Sequence, residues 1–138
     1  MIAPRRERGD RPMHLSKLDD LEPFVTLDGS TIREIAGPAW TPARNQSLAE
    51  ATVPAGGATV AHYHRRAEEL YFFTAGRGSM RLGDEEREVA AGDCVVIPPG
   101  VVHELRNGAD EPLVLLCCCA PAYSHDDTVL VGEPDAGA

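Results

Sequence analysis

The sequence GGATVAHYHRRAEELYFFTAG at residues 56–76 gathers polar side chains at spacings that suit β-strands. His62 and His64 stand two residues apart, so in an extended strand both imidazoles project from the same face. Glu69 heads an apolar and aromatic run at residues 70–73 that is typical of a second strand. A turn between these strands can place the carboxylate of Glu69 beside the two imidazoles.

A second stretch, GDCVVIPPGVVHELRN at residues 92–107, supplies one more histidine. His103 follows a Pro-Pro-Gly turn and lies near the start of another apolar strand. Three imidazoles and one carboxylate form a mixed nitrogen and oxygen donor set, which suits iron, manganese, nickel, copper, cobalt or zinc. The candidate metal ligands are therefore His62, His64, Glu69 and His103.

The two stretches resemble the two motifs of the cupin superfamily. The first motif is a glycine followed by His-x-His, Glu and a second glycine, and the second motif is a glycine followed by Pro-x-Gly, His and Asn, all at fixed intervals. The motif positions are filled by Gly56, His62, His64, Glu69, Gly76, Gly92, Pro98, Gly100, His103 and Asn107. The resemblance implies a small single-domain cupin, whose fold is an all-β jelly-roll barrel, also called a double-stranded β-helix.

The resemblance also implies one divalent transition metal ion per chain. Four protein ligands would fill a tetrahedral zinc shell, so an active site needs five or six ligands around the ion. This favours iron, manganese, nickel or cobalt and leaves zinc and copper possible.

Cupins include dioxygenases, isomerases, cyclases, decarboxylases and lyases, and small cupins are often called mannose-6-phosphate isomerase-like. The fold selects none of these activities. We expect a metal-dependent enzyme that acts on a small organic molecule. The alternatives are a small-molecule binding or sensing module without catalysis and, third, a metal-free structural barrel.

The chain as a whole predicts about ten short strands separated by turns every 8–12 residues, without a convincing helix. Ser16 is expected to cap a short turn that runs to Leu21. We predict one domain over residues 13–131, a disordered extension at residues 1–12 with Met13 as a possible start, and a flexible tail at residues 132–138. Unpaired strand edges favour a homodimer. Strands are predicted at 24–27, 31–35, 47–53, 60–65, 69–74, 79–82, 87–90, 94–97, 101–106, 113–119 and 129–131.

Composition narrows the possible partners. The formal net charge is −9, which repels a phosphate backbone and argues against a nucleic-acid partner. No apolar run approaches the ~20 residues needed to span a bilayer, so no membrane partner is expected. The N-terminus lacks the apolar region of a secretory signal, which predicts a cytoplasmic protein. Cys94, Cys117, Cys118 and Cys119 are interpreted as small buried hydrophobic residues, since their spacing suits neither disulfides nor a redox motif.

Alternation along the strands indicates further site residues. If Glu69 points inward, Tyr71 and Phe73 do so too, and the Tyr71 phenol becomes a candidate catalytic donor. His125, in a polar loop, is a second catalytic candidate as a mobile base. Asn107 and the motif glycines are interpreted as turn formers. Weaker candidates for binding a substrate carboxylate at the barrel mouth are Gln46, Arg33 and Arg81.

Overall fold

The computed structural model describes residues 12–131. The predicted tail at 132–138, and the predicted extension at 1–12 apart from Pro12, lie outside the described residues. Within that range the chain forms eleven strands and two short 3-10 helices, Leu18–Asp20 and His125–Asp127. The strands are β1 (Phe24–Val25), β2 (Thr31–Ala36), β3 (Ser47–Val53), β4 (His62–His64), β5 (Glu68–Ala75), β6 (Arg77–Leu82), β7 (Glu85–Ala90), β8 (Cys94–Ile97), β9 (His103–Arg106), β10 (Leu113–Ala120) and β11 (Thr128–Leu130).

The strands build two antiparallel sheets that face each other as an all-β jelly roll. The larger sheet has six strands in the order β1-β2-β3-β10-β5-β8, and the smaller has five in the order β11-β4-β9-β6-β7. Apart from β1-β2, β2-β3 and β6-β7, neighbouring strands are not consecutive along the chain, so each sheet is assembled mainly from long-range pairings. The expected fold class is confirmed.

Alternation along the strands decides which side chains fill the space between the sheets. In β5 the buried residues are Glu69, Tyr71 and Phe73, while Glu68, Leu70 and Phe72 face outward. This is the parity that the sequence predicts, because successive side chains of a strand point to opposite faces. The core also contains Val53, Met80, Ile97, Leu105, Leu113 and Leu115.

The hairpin between β6 and β7 differs from the sequence prediction. Four residues, 83–86, were expected at its tip, but Leu82 already pairs with Glu85, so the turn contains only Gly83 and Asp84. Gly83 has a φ of 59°, the conformation that two-residue hairpin turns require. The acidic residues at 85–86 lie on an exposed strand at the sheet edge, where charged side chains are tolerated.

Two further local predictions were wrong. Ser16 does not cap the first 3-10 helix; its hydroxyl instead donates to the carbonyl of Ile35 at 3.2 Å. Strand β4 is only three residues long, shorter than the predicted 60–65, because the chain leaves the sheet on both sides of the histidines.

Asn107 and Gly76 lie at the ends of strands, where the first makes hydrogen bonds and the second leaves room for a close approach of the backbone. The buried amide of Asn107 donates to the carbonyls of Val53 and Glu111, and its oxygen accepts from the N–H of Ala109. Asn107 therefore closes a turn, as predicted, and also ties that turn to β3. Gly76 has a φ of 81°, and a Cβ there would collide with the carbonyl of Pro112.

None of the helices among the described residues is long and apolar enough to cross a membrane.

Candidate metal centre

Three predicted ligands come from the smaller sheet. His62 and His64 lie on β4 and face inward, and Tyr63 between them points away. His103 is the first residue of β9 and pairs directly with His62 across the strands. All three side chains are buried, and their ligand nitrogens lie within 4.8 Å of one another.

The larger sheet contributes the facing side of the cluster. Glu69 on β5 lies directly opposite Cys119 on β10, and both are buried. One carboxylate oxygen of Glu69, Oε1, lies 3.1 Å from Nε2 of His64 and 3.4 Å from Nε2 of His103. The other oxygen, Oε2, accepts a hydrogen bond from the Cys119 thiol at 3.1 Å. The site is thus made by two cross-strand pairs that meet between the sheets.

The outer nitrogen of each imidazole has a defined partner. Nδ1 of His62 donates to the carbonyl of Val60 at 2.8 Å, and Nδ1 of His103 donates to the carbonyl of Val101 at 3.1 Å. A carbonyl only accepts, so in both neutral rings the proton is on Nδ1 and the lone pair is on Nε2.

The third imidazole, that of His64, is oriented by a side-chain hydroxyl instead of a backbone carbonyl. Nδ1 of His64 lies 3.0 Å from the hydroxyl oxygen of Thr128, which itself donates to the carbonyl of Ser124 at 2.9 Å. Because that hydroxyl has only one proton, it accepts from His64 Nδ1–H. In the neutral form, each of the three imidazoles therefore presents an Nε2 lone pair to the interior.

In that neutral form the lone pairs of His64 and His103 face the Glu69 carboxylate, which also has no proton to give. Nε2 of His103 is fully buried and has no hydrogen-bond partner among the described residues. Such an unpaired buried acceptor is unfavourable unless a proton or a metal ion lies among the acceptors. His62, His64 and His103 form one group that could hold a metal ion, and Glu69 joins His64 and Cys119 in a second, so the cluster as a whole fits a transition metal ion.

The ionisation of the cluster agrees with this donor set. Burial raises the pKa of Glu69, but His103 and His64, when their Nε2 atoms carry a proton, outweigh burial through hydrogen bonds and charge and hold the pKa at about 2. Burial, followed by the neighbouring His103, lowers the pKa of His62, although the carboxylate of Asp28 opposes this effect. Both shifts favour the forms that bind metal, an ionised carboxylate and a neutral imidazole.

A buried carboxylate positions the turn between β4 and β5. Asp127 accepts from the backbone N–H groups of Arg66 at 2.9 Å and of Ala67 at 3.0 Å. Its own carbonyl accepts from the N–H of Arg65 at 2.8 Å. Asp127 therefore fixes the short connection that brings Glu69 back to His64.

A cavity of about 80 Å³ lies between the sheets beside the cluster. Tyr71 lines it, and its ring centroid is 5.7 Å from that of His103. Burial, followed by the charge of Glu69, raises the pKa of Tyr71, so this phenol stays protonated. Tyr123 and Asp28 also line the cavity.

Several of the predicted pocket residues lie elsewhere. Arg33 pairs with Glu50 at 2.7 Å on the outer side of the larger sheet, and Arg81 lies 3.8 Å from Glu104 at the surface. His125 is exposed, with its ring 5.5 Å from that of Tyr123, and it does not line the cavity. Gln46 is exposed and does not line it either.

Two residues at the site were missed or misinterpreted from the sequence. Cys119 is buried at the cluster, whereas Cys94 is exposed and Cys117 and Cys118 are half-buried, so the interpretation of all four as buried packing residues was wrong. The four are free thiols, as expected. Asp28 lies between the strands predicted at 24–27 and 31–35 and was not among the predicted site residues, yet its Oδ2 lies 3.8 Å from Nε2 of His62.

Comparison with known proteins gives a family and relatives for this arrangement. The family described as the cupin domain matches residues 49–119. The uncharacterized protein MJ1618 of Methanocaldococcus jannaschii is 44% identical over 116 residues, which are 84% of this chain and 93% of that protein.

Solved structures share the fold. The oxalate decarboxylase of Lactobacillus farciminis, in a formate complex, matches with a TM-score of 0.70 and 26% identity over 82% of this chain. This chain spans only 34% of the decarboxylase chain. Streptomyces PAC13 with uridine, a nucleoside dehydratase, matches with a TM-score of 0.71 and 17% identity over 87% of this chain and 92% of that one.

Proposed function

The chain belongs to the cupin family, and from that membership we propose that it is a metal-dependent enzyme acting on a small organic molecule. In this proposal one divalent transition metal ion per chain is held by His62, His64, His103 and Glu69. Iron, manganese, nickel and cobalt are favoured, because the three-nitrogen, one-oxygen set leaves coordination positions open at these ions.

One observation carries the proposal. Three buried Nε2 atoms and a carboxylate oxygen converge, and Nε2 of His103 has no partner among the described residues. The outer nitrogens are already satisfied, so a hydrogen bond within the cluster would require an additional proton. A divalent cation satisfies all four acceptors at once, which supports metal binding over a purely structural role.

The bound ion would act as a Lewis acid or as a centre for dioxygen chemistry. The residues of the chain would supply the surroundings of that chemistry. His62, His64 and His103 are oriented by their Nδ1 bonds, and Glu69 is oriented by the Cys119 thiol. All of them are buried, and all except His103 line the cavity.

Tyr71 is the residue that we propose to contact the substrate. It is buried on the cavity wall beside His103, and its raised pKa keeps the hydroxyl proton available for donation. Tyr71→Phe is expected to lower turnover while leaving metal content unchanged. Equal loss of metal and turnover would instead make Tyr71 a packing residue.

Metal content is the first experiment. Protein purified without chelators should contain about one ion per chain by elemental analysis, and His64→Ala and His103→Ala should each lose most of it. Losing a ligand is expected to cost more than the roughly 10–100-fold in affinity that losing the partner of a ligand costs. His14→Ala is the matched control, because His14 is exposed next to Trp40 and away from the cluster. Full metal content in both cluster variants would reject these ligands.

Turnover separates the enzyme from a binding module. Metal-loaded protein would be screened for dioxygen uptake with catechols, thiols and diketones. Uptake that requires the ion supports an oxygenase, while non-oxidative product formation supports an isomerase, decarboxylase or lyase. Ligand-induced stabilisation without turnover would support the binding or sensing alternative.

We also propose that the protein is a homodimer. Strand β8 is an edge of the larger sheet, and the outer face beside it exposes Leu70, Phe72 and Val96. Exposed apolar side chains at a strand edge favour pairing with a second copy. Light scattering should give twice the chain mass, and Phe72→Glu should shift the mass towards the monomer; an unchanged mass would place the contact elsewhere.

A further inference from the structure

The polar lining of the cavity is acidic on one side. Glu69, Asp28 and Glu34 line it, and among residues 12–131 no lysine or arginine does so. The arginines that the sequence placed near the mouth pair outside it, Arg33 with Glu50 and Arg81 with Glu104. A ligand that enters this cavity therefore meets hydrogen-bond acceptors and no fixed cationic side chain.

Asp28 is held as an oriented acceptor. Its backbone carbonyl accepts from the N–H of Val60 at 2.7 Å, and its Oδ1 accepts from the N–H of Ser30 at 2.9 Å and from the Ser30 hydroxyl at 2.6 Å. The turn thus occupies one carboxylate oxygen. The other, Oδ2, faces the cluster 3.8 Å from Nε2 of His62.

A second observation lies directly behind the cavity wall. Nε2 of His103 is fully buried and unpartnered among the described residues, and its ring centroid is 4.3 Å from that of His62, which lines the cavity beside Asp28. The cavity of about 80 Å³ has room for roughly half a dozen waters. That space suits a ligand of a few heavy atoms, or one end of a larger ligand.

Charge balance sets the kind of ligand. A divalent cation at the cluster would be neutralised by the two carboxylates Glu69 and Asp28, which leaves no net positive charge for an anion. Glu34 at the cavity wall adds a further acidic group, and burial raises its pKa. Hydroxyl and amino groups can donate to Asp28, whereas a carboxylate or phosphate would be repelled.

We propose that this site selects neutral or cationic ligands rich in hydroxyl or amino donors, such as diols, polyols and amino alcohols, over carboxylates and phosphates, with Asp28 as the specificity-determining residue. The inference rests on the proposed function for the location of the site. It goes further in assigning the substrate class and a residue outside the metal-ligand set.

The test uses the full chain and matched probes that differ by one group. Glycerol is compared with glycerate, and propane-1,2-diol with lactate, by calorimetry on cobalt(II)-loaded and on metal-free protein. The variant is Asp28→Asn, which keeps an Oδ1 acceptor for Ser30 and removes one charge. Asp84→Asn is the control, because it makes the same change at the exposed tip of the β6–β7 hairpin.

Wild-type protein and Asp84→Asn are expected to bind the diol or triol more tightly than its acid. Asp28→Asn should shift the ratio towards the acid by about tenfold or more, since it removes a charge within a few ångströms of the ligand position. Glu34→Gln is the second variant and should shift the ratio in the same direction. It keeps the proposal testable if Asp28→Asn does not fold.

Three results would overturn the inference. These are preference of the wild-type protein for the acids, a ratio in Asp28→Asn equal to that of Asp84→Asn, and failure of every hydroxyl probe to bind. Absence of bound metal would be detected separately by elemental analysis, and it would contradict the proposed function rather than this inference. The ligand preference would still be measured in the metal-free protein.

Discussion

Replacing Asp127 with alanine should loosen the connection between β4 and β5 and weaken the metal centre without touching a ligand. The Asp127 carboxylate is buried and accepts from the N–H groups of Arg66 and Ala67. Alanine removes both acceptors and leaves the two N–H groups without their partner. The distance of 3.1 Å between Nε2 of His64 and Oε1 of Glu69 depends on this connection.

The size of the effect follows from the two hydrogen bonds. Each is a bond to a charged acceptor, and such bonds contribute roughly 1.5–3 kcal/mol. Arg66 is an exposed residue, so water can replace part of its bond, whereas Ala67 is only 1% exposed. The ion pair with the Arg66 side chain, at 3.6 Å, adds little because that side chain is 79% exposed. We therefore expect a loss of about 2–4 kcal/mol in the free energy of unfolding.

Urea unfolding of the metal-free protein measures this loss as a shift of the midpoint at an unchanged m-value. Metal titration of the same variant should show an affinity roughly 10–100-fold lower, as for other groups that orient ligands. Asp126→Ala is the matched control, since Asp126 is the exposed neighbour and its carboxylate makes no hydrogen bond among the described residues. It should change stability by less than about 0.5 kcal/mol. If Asp127→Ala were as stable as Asp126→Ala, the carboxylate would not hold the connection.

Three further predictions concern single groups. Folding depresses the pKa of Glu69 from 4.5 to about 2, so the ionised carboxylate stabilises the metal-free protein fully above pH 4.5, and this stabilisation is lost as pH falls through 2. Acid unfolding monitored by fluorescence should show this loss, and Glu69→Gln should not. Cys119→Ala should lower metal affinity about tenfold by freeing Oε2 of Glu69, while Cys119→Ser, which keeps a donor, should lose less; equal affinities by calorimetry would contradict this role. Asn107→Ala removes the side-chain amide that donates to the carbonyls of Val53 and Glu111, and it should lower the free energy of unfolding in urea by about 2–4 kcal/mol. A loss below about 0.5 kcal/mol would mean that Asn107 only forms the turn.

The sequence predicts the fold and the inward residues wherever the information is local. The alternation of β5 places Glu69, Tyr71 and Phe73 inside because a strand has a period of two, whatever its neighbours are. The glycine at 83 and the Pro-Pro-Gly turn before His103 are likewise local signals. These features need no knowledge of which strands pair.

The residues missed at the site depend on long-range register. Cys119 lies at the cluster because β10 pairs with β5 so that Cys119 is opposite Glu69, and that pairing shifts at an irregularity between Val114 and Leu115. A one-residue change in register would turn Cys118 inward instead. Asp28 was hidden for a different reason, since a turn uses one carboxylate oxygen and the sequence does not say where the other points.

The tautomers of the three histidines show how local and long-range information meet in one site. His62 and His103 each donate from Nδ1 to the carbonyl two residues earlier, Val60 and Val101, so their own strands fix the nitrogen that faces the interior. His64 has no such carbonyl and depends on Thr128, in the last strand of the smaller sheet. The third imidazole is therefore oriented only when β11 has paired with β4, which makes the complete donor set a property of the finished jelly roll and not of the motif alone.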